Sequence, residues 1–156
     1  MRTLLPGIFD CQVTRLYKAT DPNVGFTAAK FHSLCDGKGP TLSLIKTVAG
    51  HIFGGFTTIS WDSSGTYKND TQSFLFSVDK QTKYPIVKIY EKAIYCNASY
   101  GPTFGGGHDI CVVDNSNSNK SSYTRDNSKN GGNCSYNLPV APGKSESILT
   151  DGEFYF

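Results

Sequence analysis

The chain has 156 residues, 38% hydrophobic and 13% aromatic, with 18% charged residues and a formal net charge of +2. That length supports one domain with a core and does not suggest two, and the apolar content excludes a disordered chain. A helical bundle would need more Ala, Leu, Glu and Lys, and without a basic block nothing electrostatic argues for nucleic acid or an anionic membrane.

Residues 1–15 read as a lead-in segment. Their apolar patch "LLPGIF" is short and broken by Pro6 and Gly7, so it lacks the uninterrupted h-region of a signal peptide. No apolar run approaches a membrane span. The clearest helix lies in "GFTAAKFHSLCDGKGP". Thr27 is a good N-cap, Phe26 can staple onto Phe31, Gly37 falls where a left-handed C-terminal residue belongs, and Pro40 blocks continuation. Phe31, Leu34 and Cys35 share a face that must pack on something apolar.

Sheet is the partner that the following residues predict. "TLSLIKTV" and "HIFGGFTTISW" flank an Ala49-Gly50 turn and form a hairpin. Trp61 reads as a core residue at a strand end. "SFLFSVD" alternates, and the pattern places Phe74, Phe76 and Val78 between two sheets. "YPIVKIY", "KAIYC", "DICVVD" and the closing "EFYF" are further short strands, and residues 115–137 read as a long polar loop or set of turns. One short helix followed by many short antiparallel strands predicts a mainly β fold, a sandwich of two antiparallel sheets.

The stretch "GPTFGGGHDICVVD" could be taken for a phosphate cradle, but its glycines lead into a β-branched strand and no Lys-Ser or Lys-Thr pair follows. Gly105, Gly106 and Gly107 are therefore read as structural, permitting a special backbone geometry or a close approach, and so are Gly54 and Gly55 inside "IFGGF". Asp62, Asp70, Asp109 and Asp114 sit in turn-like contexts that suit capping. Five cysteines without a C-x-x-C pair suggest neither a disulfide framework nor a zinc site. Cys111 is expected to be buried in its strand, and Cys35 and Cys96 to lie on apolar faces. A pairing of His108 with a cysteine has no support in the sequence. Cys134, in the polar "NGGNCSYN", is the one thiol expected to reach solvent and so the redox candidate. No catalytic residue, cofactor or metal ligand is assigned. The four N-x-S/T triplets at Asn69, Asn97, Asn119 and Asn133 are what chance gives in a chain rich in Asn, Ser and Thr.

Taken together, the helix ending in "CDGKGPT", the strand "IFGGF", the "SW" pair, the strand "FLFS" and the later "FGGGHDI" resemble the TLDc family, in order and over residues 16–156. The resemblance implies the same two-sheet sandwich. It also implies protection from oxidative damage and binding to the vacuolar proton ATPase, with no settled catalytic mechanism to carry over. The entry to the helix, "TDPNVGFT", and the segment "PGKSESILTDGEFYF" depart from the family pattern. The expectation is a cytoplasmic, non-enzymatic protein-interaction module. Two other readings compete with it: a thiol scavenger acting through Cys134, and a surface- or carbohydrate-binding sandwich.

Overall fold

Thr27 caps the helix as its hydroxyl accepts from the Lys30 amide at 3.2 Å, so α1 runs Ala28–Cys35. Gly37 follows with φ +71°, the left-handed conformation that closes a helix. The computed structural model describes residues 12–125, 134–139 and 148–150. Among these, nine strands form two antiparallel sheets. The first has the order β1 (Thr41–Lys46), β2 (Ile52–Thr57), β4 (Phe74–Ser77), β5 (Thr82–Pro85). The second has the order β3 (Thr66–Lys68), β6 (Ile94–Cys96), β7 (Tyr100–Phe104), β8 (Ile110–Val113), β9 (Tyr123–Thr124). The fold is the expected mainly β sandwich.

The β1–β2 hairpin is in the expected place, with Lys46 opposite Ile52 and Gly50 at φ +99° in the turn. Between the sheets lies one core that includes Phe53, Leu75, Ile94, Phe104 and Ile110. Rings run through it in edge-on contact: Phe31 to Trp61 at 5.7 Å, Trp61 to Phe104 at 5.4 Å, Phe104 to Tyr136 at 6.3 Å. Trp61 is the core residue the sequence indicated, but it stands in an isolated bridge to Asp36 and not at a strand end, its indole N–H donating to Thr41 Oγ1 at 2.9 Å.

Three expectations are corrected. Phe74 and Phe76 are buried, but they join Leu42, Phe56 and Val78 in a separate cluster. Leu75 is the β4 side chain in the inter-sheet core, so the alternation was right and its direction was inverted. The strand read in "YPIVKIY" ends at Pro85, and a single turn of 3-10 helix occupies Tyr90–Lys92. The described part of residues 115–137 is only partly loop and turn. Tyr123–Thr124 form β9, and residues 134–136 are fully buried. "EFYF" lies outside the described residues.

Candidate functional site

The glycine turn between β7 and β8 has an inner side and an outer side. Gly105 has φ +88°, and a Cβ built there would collide with the Asp109 carboxylate. Gly107 is also left-handed, at φ +72°. Gly106 plays a different part, donating its amide to Ser135 Oγ at 2.8 Å. Folded under this turn, Asp109 is wholly buried and accepts from the Ser135 amide at 2.9 Å and the Tyr136 amide at 3.1 Å. Tyr136 in turn donates its hydroxyl to Ala93 O at 2.7 Å and meets Ser73 Oγ at 2.6 Å, linking the two sheets. The inner side is thus a polar knot whose hydrogen bonds are spent on the protein's own backbone. In β2, a Cβ on Gly55 would come within 2.6 Å of the Phe104 ring, and one on Gly54 would collide with the Ser43 carbonyl.

The remaining carboxylates also cap backbone. Asp70 is buried and accepts from the hydroxyls of Thr57 and Thr58 and the amides of Thr58 and Gln72. Asp62 accepts from the Ser64 amide and pairs with Lys68 at 2.7 Å. Asp114 reaches from the end of β8 to the first turn of α1, accepting from the Ala28 amide at 2.7 Å.

The thiols behave differently from one expectation. Cys111, Cys35 and Cys96 are buried, as expected. Burial pushes the thiols of Cys35 and Cys96 up to about 11, with Asp36 adding to the rise at Cys35. Cys134 is fully buried as well, so its expected exposure is corrected. It is inside because its neighbours Ser135 and Tyr136 are clamped by Asp109, a contact between residues 26 and 27 positions apart. Cys11 and Asn133 lie outside the described residues. Among the described residues no three His, Cys, Asp or Glu side chains are grouped to hold a metal ion.

On the outer side of the turn the sequence reading missed the main feature. His108, at φ +66°, points onto the outer face of the five-stranded sheet. Its ring stacks on Tyr95 at 5.0 Å and lies within 6.1 Å of both Tyr67 and Tyr100. Its Nδ1 is 3.1 Å from the Tyr123 hydroxyl. These half-buried residues come from four strands and a turn. Tyr67 and Tyr95 are directly opposite each other, and so are Cys111 and Tyr123. A bulge in β7 lets both Tyr100 and Thr103 share the Cys111 face, although they are three residues apart. Lys92 sits 5.5 Å over the Tyr67 ring and Arg125 lies 4.6 Å over the Tyr123 ring.

The electrostatics of this face disfavour charged groups. Burial, and then the Arg125 charge, lower the His108 pKa and favour the neutral ring. Burial raises the Cys111 thiol, with hydrogen bonds from Thr103 and Tyr123 and the Arg125 charge opposing the rise. Tyr123 bridges the Cys111 thiol and His108 Nδ1, a linkage no spacing rule could have read. A protonated thiol beside a neutral imidazole is not the ion pair that activates a cysteine.

Comparison with known proteins agrees with these features. The TLDc domain model matches residues 1–151. The chain is similar to MTOR-associated protein MEAK7 from Gallus gallus, 31% identical over 136 residues, covering 76% of this chain and 27% of that protein. It is also similar to MEAK7 from Danio rerio, 38% identical over 56 residues, covering 36% of this chain and 11% of that protein. The chain therefore spans little more than a quarter of the length of these relatives at most. With the motif order, the sandwich and the family model in agreement, the chain belongs to the TLDc domain family.

Proposed function

We propose that this chain is a non-enzymatic protein-interaction module acting in the cytoplasm, with residues 1–15 as a lead-in. The observation that carries the reading is the half-buried tyrosine–histidine face of the five-stranded sheet. Tyrosine and arginine are the residue types that dominate binding energy in protein contacts, because they offer large rigid area with a polar tip. Two partners suit the family: the vacuolar proton ATPase, and an MTOR-containing assembly, as the names of the MEAK7 relatives suggest. Protection from oxidative damage would then follow from partner regulation, a reading supported by the burial of the four cysteines among the described residues, Cys35, Cys96, Cys111 and Cys134.

The test is direct binding of the full chain to purified vacuolar proton ATPase and, separately, to a purified MTOR complex. Wild type is compared with the double variant Tyr67→Ser/Tyr95→Ser. Binding to one of them that the double variant loses supports the reading. A double variant that folds and binds as well as wild type removes this face from the function. Peroxide consumption faster than that of a simple thiol, abolished by Cys134→Ser, would replace the module with the scavenger.

A further inference from the structure

The four-stranded sheet ends in an edge that differs from the others. Of the four edge strands among the described residues, β3, β5 and β9 have three, four and two residues, whereas β1 has six. Proteins blunt such edges by brevity, a proline, a bulge or charge. β5 ends in Pro85 and carries Lys83. β1 holds no proline, its register with β2 runs unbroken from Thr41 to Lys46, and its one charge stands at its last position. The Thr47 amide donates to His51 O at 3.0 Å. By the alternation of an antiparallel ladder, the N–H and C=O groups of Leu42, Leu44 and Lys46 therefore point away from β2. Among the described residues no hydrogen bond meets them. Leu42 and Leu44 share the outer face of the sheet. Leu42 closes the cluster of Phe56, Phe74 and Phe76, while Leu44 is 56% exposed and Val48, in the turn that follows, is wholly exposed. From Gly37 to Trp61 the sequence has no acidic residue. Lys38 ahead of the strand and Lys46 at its end are exposed and make no ion pair among the described residues.

We infer that β1 takes an extended segment of a protein partner as an added strand, a docking element on the other sheet from the tyrosine face and independent of it. The backbone groups of Leu42, Leu44 and Lys46 pair with those of the segment along about 20 Å of edge. Apolar side chains of the segment continue the Leu42 cluster past Leu44, and carboxylates near its ends meet Lys38 and Lys46. A second copy of this chain is the poorer occupant. An antiparallel pair of β1 strands brings Lys46 of each copy beside Thr41 of the other, and so toward the other's Lys38, like charge against like. Two six-residue edges also fall short of the roughly 1,200 Å² at which stable interfaces begin.

The isotope-labelled full chain is titrated, with NMR readout, with the peptide Glu-Val-Thr-Val-Thr-Val-Thr-Glu and with its Lys-ended counterpart. Two further forms are N-methylated at every Val or at every Thr. Successive amides of a strand point opposite ways and only one edge of the peptide can meet β1. One N-methylated form should therefore bind like the parent, and the other roughly tenfold or more weaker, as expected for several lost backbone hydrogen bonds. Shifts should centre on Leu42, Leu44 and Lys46, whose amides gain protection from exchange. Lysine ends on the peptide, or Lys38→Glu/Lys46→Glu in the chain, should weaken binding roughly fivefold. Leu44→Pro removes an outward donor that the fold does not use, so the variant should keep a folded spectrum and lose the peptide. If that variant fails to fold, the two N-methylated forms on the wild-type chain decide the question. No binding at millimolar peptide, shifts away from β1, or equal affinity of the two N-methylated forms overturns the inference. So does a dimer of the free chain that Leu44→Pro dissociates, because it makes the second copy the occupant. Equal binding of the Lys-ended peptide overturns the acidic ends. Tyr67→Ser/Tyr95→Ser should bind the peptide as wild type does, so this edge and the interaction-module reading at the tyrosine face stand or fall separately.

Discussion

Asp109 and His108 are neighbours in the chain, yet they serve opposite sides of one turn. Asp109 points inward, is wholly buried and spends its carboxylate on the amides of Ser135 and Tyr136. His108 points outward among four tyrosines, and its Nε2 makes no hydrogen bond within the described residues. The left-handed backbone at 105, 107 and 108 makes that division possible, because it turns the chain tightly enough for consecutive side chains to leave in opposite directions. A side chain whose hydrogen bonds close on its own fold holds structure. One whose polar atoms stay open at a half-buried face can meet a partner.

If that division holds, the largest effect belongs to the inner side. Asp109→Ala strands two buried amides and is expected to cost about 3 kcal/mol or more in chemical denaturation. Asp109→Asn keeps an acceptor but loses the charge, and is expected to cost about 2 kcal/mol. Near-wild-type stability for the alanine variant would mean that the knot does not hold residues 134–136 in place. Next come the glycines. Gly55→Ala drives a methyl into the Phe104 ring and is expected to cost about 1–3 kcal/mol as overpacking. Gly105→Ala, at φ +88° against the Asp109 carboxylate, should lose about 1 kcal/mol or more.

A smaller effect is set by pH. The ordinary thiol value is 9.0, and burial holds Cys35 and Cys96 at about 11. The unfolded thiols ionise first, so their contribution to stability is complete below pH 9 and is lost as pH rises toward 11. His108 works in the opposite direction. Its folded pKa is depressed below 6.5, so the stability it contributes above that value is lost as pH falls beneath it. Denaturation midpoints across pH should therefore be flat from about 7 to 9, with a decline on each side in which these groups share. His108→Gln should flatten the part of the acid limb that His108 supplies. Labelling of the native chain with a thiol reagent at pH 7.5 should be slow at Cys35, Cys96, Cys111 and Cys134. Fast reaction at Cys134 would contradict its burial.

The smallest stability change belongs to the outer face. Tyr67→Ser/Tyr95→Ser removes half-buried rings and should cost less than the inner-side variants while removing partner binding. A double variant that unfolds instead would make the tyrosines part of the core and erase the contrast between the two sides.

Local chemistry settled much of this protein before any fold was known. Thr27 and Gly37 mark the ends of α1 because capping acts within a few residues, and the hairpin around Gly50 follows from the same short range. Glycines ahead of a β-branched run argued against a phosphate loop for a comparable local reason, and the motif order indicated the family. What lay beyond local reach was decided by pairing. A period of two states that Phe74 and Leu75 face opposite ways but not which faces the other sheet; that choice falls to the packing of Leu75 with Phe53 and Phe104. Composition made residues 134–136 look exposed, and the distant Asp109 buries them. The tyrosine face needs the β3–β6 and β8–β9 registers together with a bulge in β7, none of which leaves a mark in the sequence. Cross-strand register arises from contacts summed over the whole sheet, and so the surface that carries the proposed function came only with the tertiary structure.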